Sequence, residues 1–291
     1  MKLYLDFETV DELNWQYLPS KSGVDGSPYY EGWPAESEIA RRELDCVENV
    51  PFGPTLDEYL DIFPAGSTDR PAPVHLFIHG GYWRVFGAKD FSFVARDLVA
   101  QGVMVVVNNY SLCPKVTVGE IVRQNRAAVK WLVEHAAEYG GDPDNITVSG
   151  HSAGGHLTAM VALADWEGDY GLKDNPVKGA FGISGLYDLG PFPYTDMQPS
   201  LQLTREQVER NSPVLQVGGK LPPLWLLVGA DETPEFLRQS DAFAEALVLS
   251  GNRAERINIA GANHFQVMEG FKDTGSELFQ LIRRTCLDKP D

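Results

Sequence analysis

Three short segments of the chain bring together residue types that can do chemistry. The first, Gly150-His151-Ser152-Ala153-Gly154, follows the β-branched run Ile146–Ser149 and precedes a stretch of small residues. A tight turn from strand to helix at this point would lift the Ser152 hydroxyl clear of the backbone, where it can act as a nucleophile. In a chain with 28 glycines such a pentapeptide is a weak signal by itself, and its position between a strand and a helix is what gives it weight. The second segment is Ala262-Asn263-His264-Phe265, shortly after the last strand-like run. An imidazole there, downstream of the serine, has the proton-transfer chemistry and the chain order of a general base. The acid that would orient it should follow the apolar run Leu224–Val228, where Gly229-Ala230-Asp231-Glu232 offers two carboxylates. The position three residues beyond the glycine selects Glu232 over Asp231.

The third segment, His79-Gly80-Gly81-Tyr82-Trp83, comes directly after the run Val74–Ile78. Its glycines let backbone N–H groups face a developing negative oxygen. By position the donors are the amides of Gly81 and Tyr82, joined by that of Ala153 at the positive end of the helix that follows the serine. His79, opening this loop, is expected to pin it by hydrogen bonding to backbone. His151 and His156 receive no proton-transfer role, and Trp83 and His151 are expected to line the substrate pocket.

These groups need a scaffold that gathers strand ends. From Thr55 onward the pattern becomes regular: Leu56, Tyr59–Phe63, Val74–Ile78, Val103–Asn108, Ile146–Ser149, Val177–Ile183, Leu224–Val228 and Ile257–Ile259 look like strands. Helical spacing marks Phe91–Ala100, Val118–Ala136, Ser152–Leu163, Glu235–Leu249 and Phe271–Cys286, with Gly140-Gly141 ending the second of these. Such alternation implies a mostly parallel sheet covered by helices on both faces, with ligands at the carboxyl ends of the strands. Residues 1–52 differ: Trp15, Tyr17, Tyr29, Tyr30 and Trp33 are scattered among Pro, Ser, Gly and acids without sustained periodicity, which reads as an arm wrapped on the body. Residues 186–220 are too long for a plain connection and read as a small cap insertion over the site. The whole chain, 1–291, is expected to form one domain.

Composition excludes several function classes. The chain has 24 Lys+Arg against 41 Asp+Glu, a net charge of −17, which repels phosphate backbones, so no nucleic-acid partner is expected. No apolar stretch approaches the roughly 20 residues of a membrane span. Met1–Val10 carries Asp6 and Glu8 and lacks the basic start and apolar run of a signal peptide, pointing to the cytoplasm. Cys46, Cys113 and Cys286 give neither a disulfide framework nor zinc spacing, and the six histidines show no metal-binding pattern, so no metal and no cofactor are expected.

With those positions placed, the chain resembles the α/β-hydrolase superfamily, and within it the kynurenine formamidase (arylformamidase) branch, close to hormone-sensitive-lipase-like esterases. The resemblance rests on Gln16-Tyr17-Leu18-Pro19-Ser20, Tyr59–Pro64, His79–Arg84, Gly150–Gly155, Ile183–Asp188, Pro234-Glu235-Phe236 and Asn263-His264-Phe265. It implies the α/β-hydrolase fold and a metal-free serine hydrolase, in which an N-terminal arm and a cap shape an aromatic-lined pocket. Many members are dimers, which extends the expectation to a homodimer. Animal formamidases place aspartate where Glu232 falls, a departure in this chain. The resulting expectation is a carboxylesterase acting on small esters through Ser152, His264 and Glu232 with an acyl-enzyme, and arylformamidase activity is the close variant. A non-catalytic small-ligand binder of the same fold is the reading from another class, and the presence of both Ser152 and His264 weighs against it. The arm and the 186–220 insertion are expected to act as a lid that excludes bulky acyl chains.

Overall fold

The structure is a computed structural model that describes residues 2–66 and 70–287. Its strands, in chain order, are β1 (Val47–Pro51), β2 (Tyr59–Phe63), β3 (Ala72–Ile78), β4 (Met104–Asn108), β5 (Gly141–His151), β6 (Val177–Ile183), β7 (Leu224–Gly229) and β8 (Ala254–Ile259). They form one sheet in the order β1-β2-β4-β3-β5-β6-β7-β8, in which β1, β2 and β4 pair antiparallel and every pairing from β4 to β8 is parallel. The β3, β5 and β6 registers run Ile78↔Gly150 and Gly150↔Gly182, so these strands end side by side.

The period of two along a strand splits the core into two layers. On β4, Met104 and Val106 face one cluster and Val105 and Val107 the other. The first layer is covered by α4 (Val118–His135), α5 (Ala153–Ala162) and α9 (Pro234–Leu249); the second by α3 (Ala95–Ala100) and α10 (Glu277–Leu287). α4 presents Val118, Ile121, Val122, Val129 and Leu132 inward at helical spacing, begins at Thr117, whose hydroxyl accepts the Glu120 amide, and is followed by Gly140 at φ +83°.

The structure differs from the expected elements at four places. Leu56 is not in a strand: it is 97% exposed in a turn that Glu58 closes by accepting from the Thr55 amide and hydroxyl. The expected helix Phe91–Ala100 is a 3₁₀ turn over Ser92–Val94 followed by α3. Phe271–Cys286 is likewise broken, because the Gln266–Lys272 turn stops at Asp273 and α10 restarts after Ser276, whose hydroxyl accepts the Phe279 amide. The arm is more regular than its sequence suggests. It contains α1 (Val10–Tyr17), closed by a Thr9/Glu12 capping box, and α2 (Ser27–Glu43), which buries Trp33, Ser37 and Ala40.

Residues 186–220 carry α7 (Gln198–Leu201) and α8 (Arg205–Asn211), preceded in the chain by α6 (Trp166–Tyr170) after α5. This segment is packed rather than loose, since Leu186, Leu189, Phe192, Leu201 and Leu203 all join the first core layer. Among the described residues, no helix is long and apolar enough to cross a membrane, and the three cysteines are free.

Candidate active site

The parallel strand ends deliver each reactive group. β5 stops at His151, and Ser152 turns the chain into α5 with φ 58° and ψ −118°, a region that costs a non-glycine residue about 1–3 kcal/mol. Its amide donates to the Ile183 carbonyl at 2.8 Å, fixing the turn against β6. α5 starts so close to β3 that a Cβ on Gly154 would stand 2.0 Å from the Ile78 carbonyl oxygen, which explains a glycine there.

Ser152, Glu232 and His264 come together in one line. The Ser152 Oγ lies 3.1 Å from His264 Nε2, and His264 Nδ1 lies 2.7 Å from Glu232 Oε2. A carboxylate oxygen only accepts, so Nδ1 carries the proton and the Nε2 lone pair faces the serine hydroxyl. Glu232 is buried, and its second oxygen accepts the Gly229 amide at 2.8 Å and the Ser184 hydroxyl. Asp231 is exposed and does not reach the imidazole; its amide donates to the Ala262 carbonyl at 3.0 Å, joining the acid loop to the histidine loop.

The loop after β3 forms a left-handed turn. Gly81, Tyr82 and Trp83 have φ of 102°, 52° and 58°, and the amides of Arg84 and Val85 both donate to the Gly81 carbonyl at 3.0 Å. Left-handed backbone is costly for side chains with a Cβ, so this turn has to be held from outside. Among the described residues, the N–H groups of Gly81, Tyr82 and Ala153 take no part in the backbone hydrogen bonds of turns and loops. The Tyr82 hydroxyl donates to the Tyr17 carbonyl of the arm, and the Cys113 amide donates to the Trp83 carbonyl at 2.7 Å.

Trp83 corrects the expectation that it lines the substrate pocket. The turn sends its indole inward, where it is fully buried and donates from Nε1 to His156 Nδ1 at 3.1 Å. Indole N–H is only a donor, so His156 is held as the tautomer whose Nε2–H donates to the Asn211 carbonyl at 2.7 Å. Burial pushes His156 down to about 4, which keeps it neutral and able to tie this left-handed turn to α8. His79 is likewise pushed down to about 4 by burial; it stacks on Tyr110 with ring centroids 4.0 Å apart, and its Nδ1 bonds the Gly80 carbonyl at 2.8 Å.

His151 does line the pocket, and its Nε2–H donates to the His264 carbonyl at 2.7 Å, so it positions the residue that faces the serine. Burial first, then the adjacent His264 ring, holds its pKa well below the usual range.

Over Ser152 lies a cavity of about 420 Å³, within the size range of small-molecule sites. Tyr30, Trp33, Phe86, Phe91 and Phe265 make its aromatic walls, Leu18-Pro19-Ser20 come from the arm and Met197 from the 186–220 segment. The arm is bound firmly: the Tyr17 hydroxyl donates to Glu235 and accepts from Gln239 Nε2 at 3.0 Å, and the Thr233 hydroxyl donates to the Gln16 carbonyl. Ser184, Arg84 and Met197 are site residues that sequence reasoning did not find. Ser184 had one local signal, its place directly after the strand run that ends at Ile183.

Against known proteins, the BD-FAE family model matches residues 60–247, most of the chain, from within β2 to beyond β7. The chain belongs to the BD-FAE family. This BD-FAE protein is 31% identical over 283 residues to the kynurenine formamidase of Danio rerio, covering 94% of each chain. It is also 31% identical over 226 residues to Esterase LipQ of Mycobacterium tuberculosis, covering 71% of this chain and 54% of the other. Among solved structures it is similar to a putative thioesterase from Silicibacter sp. TM1040, with a TM-score of 0.77, 28% identity and coverage of 94% and 98%. The chain is thus an α/β-hydrolase of the kynurenine formamidase-like and esterase-like kind, and an enzyme.

Proposed function

We propose that the protein is a serine hydrolase that cleaves small carboxylic esters without a metal, through Ser152, His264 and Glu232. The observation that carries this reading is the continuous hydrogen-bonded line from Glu232 Oε2 through the imidazole to the Ser152 hydroxyl. His264 takes the serine proton as Oγ attacks the ester carbonyl, and Glu232 stabilises the imidazolium that forms. The amides of Gly81, Tyr82 and Ala153 receive the negative oxygen of the tetrahedral intermediate, each donor being worth about 3–4 kcal/mol of barrier. The imidazolium gives its proton to the leaving alkoxide, and a water activated by the same imidazole then releases the acyl group.

Formamide hydrolysis is the second reading. It is favoured by the similarity to a kynurenine formamidase over 94% of both chains, and by aromatic walls suited to an anilide ring. In either case the arm and the 186–220 segment bound the acyl space through Leu18 and Met197. The arm acts as fixed wall rather than as a moving flap, because Leu13 and Tyr17 are fully buried core residues. Met197→Ala should therefore raise the rate on octanoate relative to acetate esters.

The test is steady-state hydrolysis of p-nitrophenyl acetate, p-nitrophenyl octanoate and N-formylkynurenine by the wild type and Ser152→Ala, with and without a chelator. The expected result is a loss of at least about 10³-fold in Ser152→Ala and no chelator effect, with the preferred substrate choosing between ester and formamide. Substantial turnover by Ser152→Ala would overturn the mechanism.

A further inference from the structure

Among the described residues, the cavity over Ser152 is lined by one arginine and by no lysine, aspartate or glutamate. Around it the chain carries 41 acids against 24 Lys+Arg, and much of its basic complement is spent on ion pairs: Arg41, Arg96, Arg123, Arg238 and Arg256 each face a carboxylate. Arg84 does not. Its guanidinium has no hydrogen-bond or ion-pair partner among the described residues, although the surface is rich in acids that could have supplied one.

The backbone of Arg84 is held by the turn already described, and the residue is exposed. Its amide is bonded to the Gly81 carbonyl at 3.0 Å, and its neighbour Trp83 is anchored in the core through His156. Only Trp83 separates it from Tyr82, so its Cα lies no more than about 7 Å from the Cα of a residue whose amide would face the reacting oxygen. The same short turn thus offers backbone donors to an oxyanion and a free guanidinium to a second group of the substrate. Arginine's planar fork matches a carboxylate with two parallel hydrogen bonds. The other walls supply ring faces from Tyr30, Trp33, Phe86 and Phe265 and contain nothing acidic that would repel an anion.

We propose that Arg84 is a substrate-recognition residue, and that the preferred esters or amides carry a carboxylate on the portion that occupies this cavity. The proposal rests on the serine hydrolase reading for its chemistry, while the recognition itself can be measured without turnover.

The experiment compares matched pairs that differ only in charge at one end. 4-Acetoxybenzoate against 4-acetoxybenzamide places the charge on the leaving group; mono-4-nitrophenyl glutarate against 4-nitrophenyl glutaramate places it on the acyl group. The ratio of kcat/KM within a pair is the readout, so a general loss of activity cancels. In at least one pair the wild type should favour the anion about tenfold or more. Arg84→Gln should reduce that ratio about 10- to 100-fold, the range of a charge-assisted hydrogen bond, Arg84→Lys should keep part of it, and Arg84→Glu should bring it lower still. A wild-type ratio at or below one in both pairs, or a ratio unchanged in Arg84→Gln, would overturn the proposal. Binding is read separately by titrating Ser152→Ala with 4-acetamidobenzoate and 4-acetamidobenzamide. If no ester is turned over but the benzoate binds tighter, and loses that advantage when Arg84→Gln is added, the hydrolase reading fails and the recognition site stands. Equal binding of the two analogues alongside normal ester hydrolysis rejects Arg84 and leaves the hydrolase reading intact.

Discussion

Replacing Glu232 by glutamine tests the line of hydrogen bonds most directly, because the side chain keeps its shape and loses only its charge. Glu232 Oε1 sits against two donors, the Gly229 amide at 2.8 Å and the Ser184 hydroxyl. The amide cannot reverse its role, so a carboxamide at position 232 must put its oxygen there and turn its NH₂ toward His264 Nδ1, now occupied by Oε2 at 2.7 Å. Nδ1 then has to accept, the imidazole proton moves to Nε2, and Nε2 points an N–H at the Ser152 Oγ instead of a lone pair. A histidine held in the wrong tautomer loses about 10⁴ in kcat, or about 5 kcal/mol of transition-state stabilisation. The paired control is Asp231→Asn, whose exposed side chain makes no contact with the imidazole, so its kcat should stay within about twofold of the wild type. Both variants are compared with wild type by steady-state p-nitrophenyl acetate hydrolysis, with thermal melting alongside to establish that each is folded. The reasoning is refuted if Glu232→Gln stays within tenfold of wild type while folded, or if Asp231→Asn falls as far.

Three other outcomes follow from the geometry. Gly154→Ala places a Cβ 2.0 Å from the Ile78 oxygen and 2.7 Å from that of His79, both backbone atoms that cannot rotate aside, so the nucleophile turn must shift. Its kcat should drop about 100-fold and its melting temperature should fall; wild-type kinetics would show that the close approach is dispensable. Tyr17→Phe removes the hydroxyl that bonds Glu235 and Gln239, but Arg238 still pairs with Glu235 at 2.8 Å. The cost should be near the low end for a buried hydrogen bond, about 1 kcal/mol, read as a lower urea midpoint at unchanged slope, and no midpoint shift would argue against an anchored arm. Burial holds His79 and His156 at about 4, below the ordinary 6.5, so between those values the unfolded chain binds protons that the folded chain does not. Stability is therefore fully present above about 6.5 and declines as pH falls toward 4, and urea midpoints at pH 7 and 5 should differ, less so in His156→Gln. Equal midpoints would mean that these rings are not held neutral.

Ser152, Glu232 and His264 were legible because each lies just beyond a strand run, in the order and spacing that strand-end chemistry demands. The signal was local. Trp83 was misjudged because its fate depends on a contact 73 residues away, the bond to His156 that only the folded turn creates. Ser184 touches Glu232 across 48 residues, a pairing without local imprint. α2 was hidden for a different reason. Its buried positions are one tryptophan with Ser37 and Ala40, so no apolar stripe marks the helix, and Pro34 stands inside it. The break in the expected Phe271–Cys286 helix had no apolar signal, because Phe271 and Leu278 keep helical spacing across Asp273–Ser276, where a side-chain cap restarts the helix.

The departures from ordinary backbone preference collect around Ser152. Among the described residues eight non-glycine residues have positive φ, and of these Tyr82, Trp83, Phe86, Ser152 and Ser184 belong to the site or its support. Each such residue costs about 1–3 kcal/mol and persists only where its surroundings over-determine it. The surroundings here are identifiable. Trp83 is buried against His156, Tyr82 is tied to the arm, Ser152 is bonded to β6, and Ser184 is bonded to the acid. Donors fixed in this way do not have to reorganise when negative charge forms on the substrate oxygen, which is the physical requirement for stabilising it. The arm, whose helices look least regular in sequence, is therefore part of the scaffold of the candidate site: it holds Tyr82 from one side and the loop after β7, through Thr233 and Glu235, from the other.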